Sequence, residues 1–177
     1  MENQQKPLLD LIALREKWRK LPNYGCFWSS PDNARGFQLT PTIEPGKISV
    51  EMIIDREHSG FPGIAQGGVA FTILDGLMGW YVMSHYGRAG FTTQANVEYM
   101  APLVVGQKYL FQAIEDPSNA ESPKGTVKVI GQVFNTLSKD KPCVQIKATF
   151  FLPNRKTAQR VLGVPLEEAG EELFPEE

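Results

Sequence analysis

Asp75 is the side chain of this sequence that is best suited to do chemistry. It lies within an apolar run, Val69 to Met83, and is the only formally charged residue between Glu57 and Arg88. Burying an unpaired charge is costly, so a carboxylate in such a run must be paired, protonated or used in a reaction. A used carboxylate acts as a nucleophile or as a general base that activates water. The alternative is a structural aspartate whose oxygens accept hydrogen bonds from hydroxyls or backbone amides.

A second feature that could take part in a reaction precedes the apolar run, at Gly67 and Gly68. The run is apolar on nearly every helical face, which predicts a buried helix that begins at Gly67. It is too short and too interrupted by glycine to be a good membrane span. The first N–H groups of a helix lack intrahelical acceptors and carry the positive end of its dipole, which favours an anion or a developing oxyanion. Glycine also lets a ligand approach the backbone closely.

The spacing of Gly67 and Asp75 predicts a homodimer. Eight helical residues span roughly 12 Å, so a carbonyl held at the Gly67 N–H lies beyond the reach of Asp75 in the same chain. In a two-fold dimer with antiparallel copies of this helix, Gly67 of one subunit faces the carboxylate of its partner, and two equivalent sites result.

The segment that contains both features resembles a known motif. Residues 60–68 read GFPGIAQGG, and Asp75 follows nine positions after Gln66. This resembles the central-helix motif of hotdog-fold acyl-CoA thioesterases of the phenylacetate-pathway type, Gly-(Phe/Trp)-Pro-Gly-x-x-His-Gly-Gly with an acidic residue nine positions after the His. Gln66 stands where that family has His; it can donate a hydrogen bond but cannot take up a proton. The resemblance extends over about residues 22–153.

The resemblance implies a set of catalytic residues. The Gly67 N–H stabilises the oxyanion, Asp75 attacks or activates water, and Gln66 contributes a polar contact. Tyr99 begins a Tyr-x-x-Pro motif, and family members often place Ser or Thr seven residues before that Tyr, close to the acid; here this residue is Thr92. On strand pattern alone Thr92 is an ordinary surface threonine, and its neighbour Thr93 points to the other face of the strand.

Four further residues are expected to bind the substrate around this centre: Gly60, Gly68, His58 and Thr93. His58 lies at the entrance of the loop before the helix, where an exposed or loop-packed histidine is the alternative interpretation. His85, near the end of the helix, is expected to be structural.

Composition predicts one soluble domain in the cytoplasm. The chain has 177 residues, 42% hydrophobic and 21% charged, with a net charge of −2 that gives no electrostatic case for binding nucleic acid. Its two cysteines make neither a disulfide framework nor a metal cluster. The N-terminus does not read as a signal peptide. We expect an N-terminal helix within residues 1–21, a core over 22–153 and an acidic C-terminal extension over 154–177.

Hydrophobic periodicity predicts an α+β fold. An amphipathic helix is predicted over residues 8–21, and the Pro45-Gly46 pair predicts a type II turn between two strands. Residues 166–177 are expected to form a solvated, partly helical tail. The strand patterns lie at 37–43, 48–54, 92–99, 108–115, 126–136 and 143–152. One long helix wrapped by an antiparallel sheet of roughly six strands agrees with the hotdog fold that the resemblance implies.

The resemblance implies an acyl-CoA thioesterase for a small or medium acyl group, working as a homodimer or dimer of dimers. We expect no cofactor, no metal and no membrane partner. Two alternatives remain open. A hydroxyacyl dehydratase or enoyl-CoA hydratase of the same fold would pair His58 with Asp75, and a non-catalytic protein would bind acyl-CoA without turning it over.

Overall fold

One long helix lying on an antiparallel sheet defines the architecture. The computed structural model describes residues 9–138 and 140–176, so Leu8 of the predicted N-terminal helix lies outside the described residues. The six-stranded sheet has the order β1-β2-β6-β7-β8-β5, and β3 pairs separately with β4. The elements are α1 (Leu11–Trp18), β1 (Thr42–Glu44), β2 (Lys47–Ile53), β3 (Ser59–Phe61), β4 (Ile64–Ala65), α2 (Gly67–Tyr86), β5 (Phe91–Tyr99), β6 (Lys108–Glu115), β7 (Thr126–Asn135), β8 (Val144–Phe151), α3 (Arg155–Val161) and α4 (Leu166–Ala169).

The predicted central helix is confirmed. It begins at Gly67 and ends at Tyr86, and Gly87 takes the left-handed conformation that suits a glycine cap. Its inner face is fully buried against the sheet. Close approach requires a small residue beneath it: a Cβ on Gly131 of β7 would lie 3.1 Å from the Met78 sulfur and 3.3 Å from Leu74. The apolar run is therefore the core of the domain, as its periodicity predicts.

The N-terminal part of the sheet is shorter than predicted. The strand expected over 37–43 forms only at Thr42–Glu44, whereas residues 37–41 are irregular. Gln38 has a positive φ of 53°, which breaks the extended conformation before Pro41. The turn at Pro45-Gly46 is confirmed, because Gly46 has φ 75° and Glu44 pairs with Lys47 across it.

The N-terminal helix α1 packs on the edge of the domain, as predicted, but ends at Trp18. Asp10 caps it by accepting hydrogen bonds from the Ile12 and Ala13 amides. Arg15 is buried and donates from Nη1 to the Thr40 hydroxyl at 2.8 Å. This bond ties the helix to the irregular segment that precedes β1.

The C-terminal extension is not the solvated tail that its charge predicts. Leu173 and Phe174 are only 1% and 3% exposed, and Leu166 and Ala169 are also buried. The glutamates between them remain in solvent. The prediction was wrong because it counted charge and overlooked the apolar residues at helical spacing. The segment that carries them is bonded to Trp18 of α1 and to Ala89, which follows α2. Among the described residues, no helix is long and apolar enough to cross a membrane.

Candidate active site

The structure brings Asp75 and Thr92 together. Asp75 lies half-buried near the middle of α2, and the Thr92 hydroxyl at the start of β5 donates a hydrogen bond of 2.7 Å to its Oδ1. A carboxylate that accepts such a bond keeps one oxygen fixed and the other available. The pair joins the central helix to a strand at the edge of the sheet, and the Thr92 hydroxyl orients the Asp75 carboxylate.

A bulge in β5 explains how Thr92 reaches the helix. Thr92 pairs with Phe150 and Gln94 pairs with Thr149, so Thr93 is an extra residue in the ladder. Strict alternation places residues an odd number apart on opposite faces, yet Thr92 and Tyr99 both contact α2. The extra residue reverses the alternation. The strand pattern alone therefore predicted the wrong face for Thr92, and only the resemblance pointed to its nearness to Asp75.

The N-terminus of α2 is capped by Gln66. Its Oε1 accepts a short hydrogen bond from the Gly68 amide, so this oxygen occupies one of the free donors of the first turn. A Cβ on Gly68 would lie 2.6 Å from the same Oε1, so a larger residue at this position would displace the capping side chain. The Gln66 side-chain amide nitrogen forms no hydrogen bond within the part of the chain that the structure describes, and it can donate to a ligand. The Gly67 N–H is the first amide of the helix, and this position has no intrahelical acceptor.

Tyr99 positions the first residue of the helix. Its hydroxyl donates to the Gly67 carbonyl at 3.1 Å, and a Cβ on Gly67 would lie 3.2 Å from its ring. The sequence singled out Tyr99 only as part of a motif and did not assign this contact. A small pocket of about 320 Å³ lies beside this contact and reaches Pro102 of the same motif. The two ends of β5 thus contact the two features of α2 that carry chemistry.

Gly60 and His58 form the loop that supports Gln66. A Cβ on Gly60 would lie 2.7 Å from the Gln66 Cα, so Gly60 allows close packing beneath the cap. The backbone N–H of Gln66 donates to the His58 carbonyl at 2.8 Å. The His58 ring accepts from the Asp55 amide through Nδ1 and lies 5.2 Å from the Phe37 ring.

The other predicted residues have separate positions. The Thr93 hydroxyl donates to the Thr149 carbonyl at 3.1 Å on the neighbouring strand. His85 stacks on Tyr81 and its Nε2 lies 3.0 Å from the Glu44 carbonyl, which agrees with its structural interpretation. The structure therefore brings Asp75 and Thr92 together and packs Gln66 against Gly60 and Gly68. Thr93 belongs to neither group.

Trp28 is a neighbour of Asp75 that the sequence did not reveal. Its Nε1 donates to the Ile73 carbonyl at 2.7 Å, and its ring lies where a Cβ on Gly76 would sit, 2.2 Å from Cδ1. The signal available in the sequence is Gly76 itself, since a glycine inside a helix often allows close approach. Trp28 fixes the turn of α2 that carries the carboxylate.

An open cleft of about 800 Å³ lies at the helix N-terminus. It is bounded by Gln66, Gly68 and Thr72 of the helix region and by Arg35 and His58 of the flanking segments. Its volume lies within the range that is usual for pockets that bind small molecules and cofactors. Within the described residues, no group of three or more His, Cys, Asp or Glu side chains could hold a metal ion.

Comparison with known proteins adds independent information. No protein-family model matches the chain. Human acyl-coenzyme A thioesterase 13 is 29% identical over 70 residues, which cover 39% of this chain and 50% of that protein, and the Pongo abelii protein of the same name matches equally. The chain thus spans about half the length of these relatives.

Solved structures match over a larger part of the chain. Zebra fish thioesterase superfamily member 2 has a TM-score of 0.60 and 22% identity, covering 81% of this chain and 99% of that one. A Streptococcus mutans protein bound to acetyl-CoA has a TM-score of 0.53 and 23% identity, covering 60% and 81%. The E. coli PaaI protein from the phenylacetic acid degradation operon has a TM-score of 0.53 and 15% identity, covering 62% and 79%.

The chain has the hotdog fold. The predicted α+β class with a central helix and a six-stranded antiparallel sheet is confirmed. The resemblance to the phenylacetate-pathway type is confirmed at the level of fold, because PaaI itself is among the similar structures. In this hotdog domain the N-terminus of α2, the middle of α2 and both ends of β5 form the candidate active site.

Proposed function

We propose that this hotdog protein is an acyl-CoA thioesterase that hydrolyses a small or medium acyl-CoA. The observation that carries the proposal is the hydrogen bond from Thr92 to Asp75. It turns a lone carboxylate in an apolar helix into an oriented reactive group. The similarity to acyl-coenzyme A thioesterase 13 and to a structure with acetyl-CoA bound supports the choice of substrate class.

The chemistry requires two groups. The thioester carbonyl accepts a hydrogen bond from the Gly67 N–H, and the Asp75 carboxylate takes a proton from water as the water oxygen attacks the carbonyl carbon. The tetrahedral oxyanion then collapses, the C–S bond breaks and the CoA thiolate takes up a proton. Direct attack by the carboxylate would form an acyl anhydride that water hydrolyses, with the same net products. A single oxyanion donor contributes roughly 100- to 1000-fold in rate.

The two groups act in one site only if two chains combine. Gly67 and Asp75 are eight residues apart on one helix, roughly 12 Å. A two-fold dimer with antiparallel α2 helices supplies the Gly67 donor from one protomer and the carboxylate from its partner. A dimer of such dimers is compatible with the same site if its second contact lies on another surface.

The edge strand β5 supports this dimer. It lies at the end of the sheet and is solvent-exposed along most of its length. Tyr99 is 56% exposed, and Phe91, Met100 and Phe151 nearby are also exposed apolar side chains. A long exposed edge strand is a template for pairing with another chain. At the opposite edge, β1 has only 3 residues and offers a much shorter template.

Gln66 replaces the family histidine as a hydrogen-bond donor. Its Oε1 faces the Gly68 amide, which leaves the Nε2 amide to donate to the thioester carbonyl. Gly68 and Gly60 contribute by close packing around this side chain. We place His58 and Thr93 at the margins of the substrate site, where His58 borders the cleft beside Gln66.

The experiment that tests the function is a thioester panel. Purified protein is incubated with acyl-CoAs of increasing chain length and with aromatic acyl-CoAs, and released CoA thiol is measured. Hydrolysis that Asp75→Asn abolishes supports the proposal. A parallel assay with an enoyl-CoA reports hydration, the reaction expected if His58 worked with Asp75. Tight acyl-CoA binding with neither reaction would replace the proposal with a binding protein.

A further inference from the structure

An apolar cavity of about 310 Å³ lies between the two terminal segments of the chain. The N-terminal side contributes Trp18 and Tyr24, and the C-terminal extension contributes Leu173 and Phe174. Met83 of α2 forms another part of the wall, and Phe91 of β5 lines it as well. The cavity is partly open to solvent, and without the docked C-terminal extension it would lose one of its walls. The cavity is therefore a product of the terminal segments that surround the core.

Hydrogen bonds hold the walls of this cavity in place. The Trp18 indole donates to the Ala169 carbonyl at 3.0 Å, and the Ala89 amide donates to the Leu173 carbonyl at 3.1 Å. These polar groups of the wall are therefore already hydrogen-bonded within the protein and do not face a ligand as free donors or acceptors. Burial raises the pKa of Tyr24, which keeps its hydroxyl neutral. The cavity thus offers a ligand mainly hydrocarbon surface, which favours the binding of an apolar group.

The cavity and the candidate active site involve neighbouring parts of β5 and of α2. Phe91 lines the cavity and directly precedes Thr92, whose hydroxyl binds Asp75. Along the helix, Met83 lies eight residues beyond Asp75, roughly 12 Å. A group that starts at the carboxylate must therefore cross about two helical turns before it enters the cavity. A short acyl group ends before this point, whereas a long one reaches it.

We propose that this cavity binds the distal hydrocarbon end of the acyl chain and makes the longer medium-chain acyl-CoAs, such as dodecanoyl-CoA, the preferred substrates. The inference rests on the proposed thioesterase function and makes its substrate class specific. A cavity of about 150 Å³ can hold benzene, so about 310 Å³ has room for several methylene groups. Each methylene that enters should raise kcat/KM by roughly fourfold, the factor that corresponds to burying one CH₂.

The test uses a tryptophan that fills the cavity. Val164 lies in the bend between α3 and α4 and lines the cavity, whereas Val161 is 59% exposed and lies outside it. Val164→Trp should lower kcat/KM for dodecanoyl-CoA by more than tenfold and leave acetyl-CoA turnover unchanged. Val161→Trp, the matched control, should behave as the wild type with both substrates. Equal losses with both substrates, or no loss with dodecanoyl-CoA, would overturn the proposal.

A binding measurement separates this proposal from the thioesterase function. Dodecanoate is titrated calorimetrically into the wild type and into both tryptophan variants, below its micelle concentration. Binding by the wild type and by Val161→Trp, but not by Val164→Trp, supports the cavity even if no acyl-CoA is hydrolysed. No binding by the wild type would overturn it even if short acyl-CoAs are hydrolysed. Light scattering covers the other occupant: a change of oligomeric state in Val164→Trp alone would assign the cavity to a second copy of the chain.

Discussion

Thr92 on the edge strand β5 donates a hydrogen bond of 2.7 Å to Asp75 in the middle of α2. The bond depends on the bulge at Thr93, because regular alternation would turn Thr92 away from the helix. Bulges often re-aim a side chain next to an active site. The conformation of one strand end and the reactivity of one helix residue are therefore linked.

Asp75→Asn tests the carboxylate. Asparagine retains an oxygen that accepts the Thr92 hydrogen bond but cannot take up a proton from water, so the fold should persist while hydrolysis falls. We expect a loss of at least roughly 100-fold in kcat, the lower end for general-base catalysis. Thiol release measures turnover, and circular dichroism with a thermal melt verifies folding. Turnover close to that of the wild type in a folded variant would exclude Asp75 from the reaction.

Thr92→Val tests the orienting hydroxyl. Valine keeps the shape but removes the donor, and hydrogen bonds to charged groups contribute about 1.5–3 kcal/mol, so kcat/KM should fall roughly 10- to 150-fold. Thr92→Ser should retain most activity because it keeps the hydroxyl. Thr93→Val is the comparison variant: the Thr93 hydroxyl bonds the Thr149 carbonyl and not Asp75, so its loss should cost much less activity than that of the Thr92 hydroxyl. If Thr93→Val is as inactive as Thr92→Val, the effect comes from the bulge and not from the hydroxyl.

The sequence predicted the central helix well because its apolar residues occupy nearly every helical face. It predicted Gly67 as the helix start for the same reason. It could not predict the face of Thr92, since a bulge depends on the pairing with β8 and leaves no trace in the period of β5. Nor could it predict the contact of Trp28 with Gly76, which are far apart in the chain and meet only after folding.

Two glycines of α2 should respond in opposite ways to alanine. A Cβ on Gly76 would lie 2.2 Å from the Trp28 ring, so Gly76→Ala must displace the indole and should lower the free energy of unfolding by about 1–3 kcal/mol. A Cβ on Gly79 would have nothing within 4 Å. Gly79→Ala should therefore raise the free energy of unfolding by up to about 1 kcal/mol through helix propensity. Urea unfolding measures both, and equal effects would contradict the close contact with Trp28.

Gln66 variants test whether its side chain acts only as a donor. Gln66→Ala removes the donor and the helix cap, and should lower kcat/KM by a factor that corresponds to about 1–3 kcal/mol. Gln66→His should preserve or raise activity and add a titration between about pH 6 and 7, where imidazole changes charge. Rates are measured against pH for the wild type and both variants, with acyl-CoA affinity. Equal activity of the wild type and Gln66→Ala would remove Gln66 from the site.

Gly67→Pro tests the oxyanion donor with little change in shape. Gly67 is the first residue of α2, where proline is well tolerated, and Gln66 has the extended conformation that a following proline requires. Proline removes the N–H and should lower kcat by roughly 100- to 1000-fold. The added Cβ contacts the Tyr99 ring at 3.2 Å. Gly67→Ala is the control, because it adds the same Cβ and keeps the N–H; an equal loss in both variants would assign the effect to Tyr99.

Complementation tests whether the two groups act across a dimer. Asp75→Asn chains retain the Gly67 donor, and Gly67→Pro chains retain the carboxylate, so each homodimer lacks one group in both sites. A heterodimer contains one site with both groups intact, because the donor and the carboxylate come from different chains. Differently tagged chains are refolded together, and the heterodimer is purified through both tags. We expect about half of the wild-type activity per dimer, since one of two equivalent sites is restored. A verified heterodimer that stays as inactive as the parent variants would show that the Gly67 N–H and Asp75 do not meet across the interface.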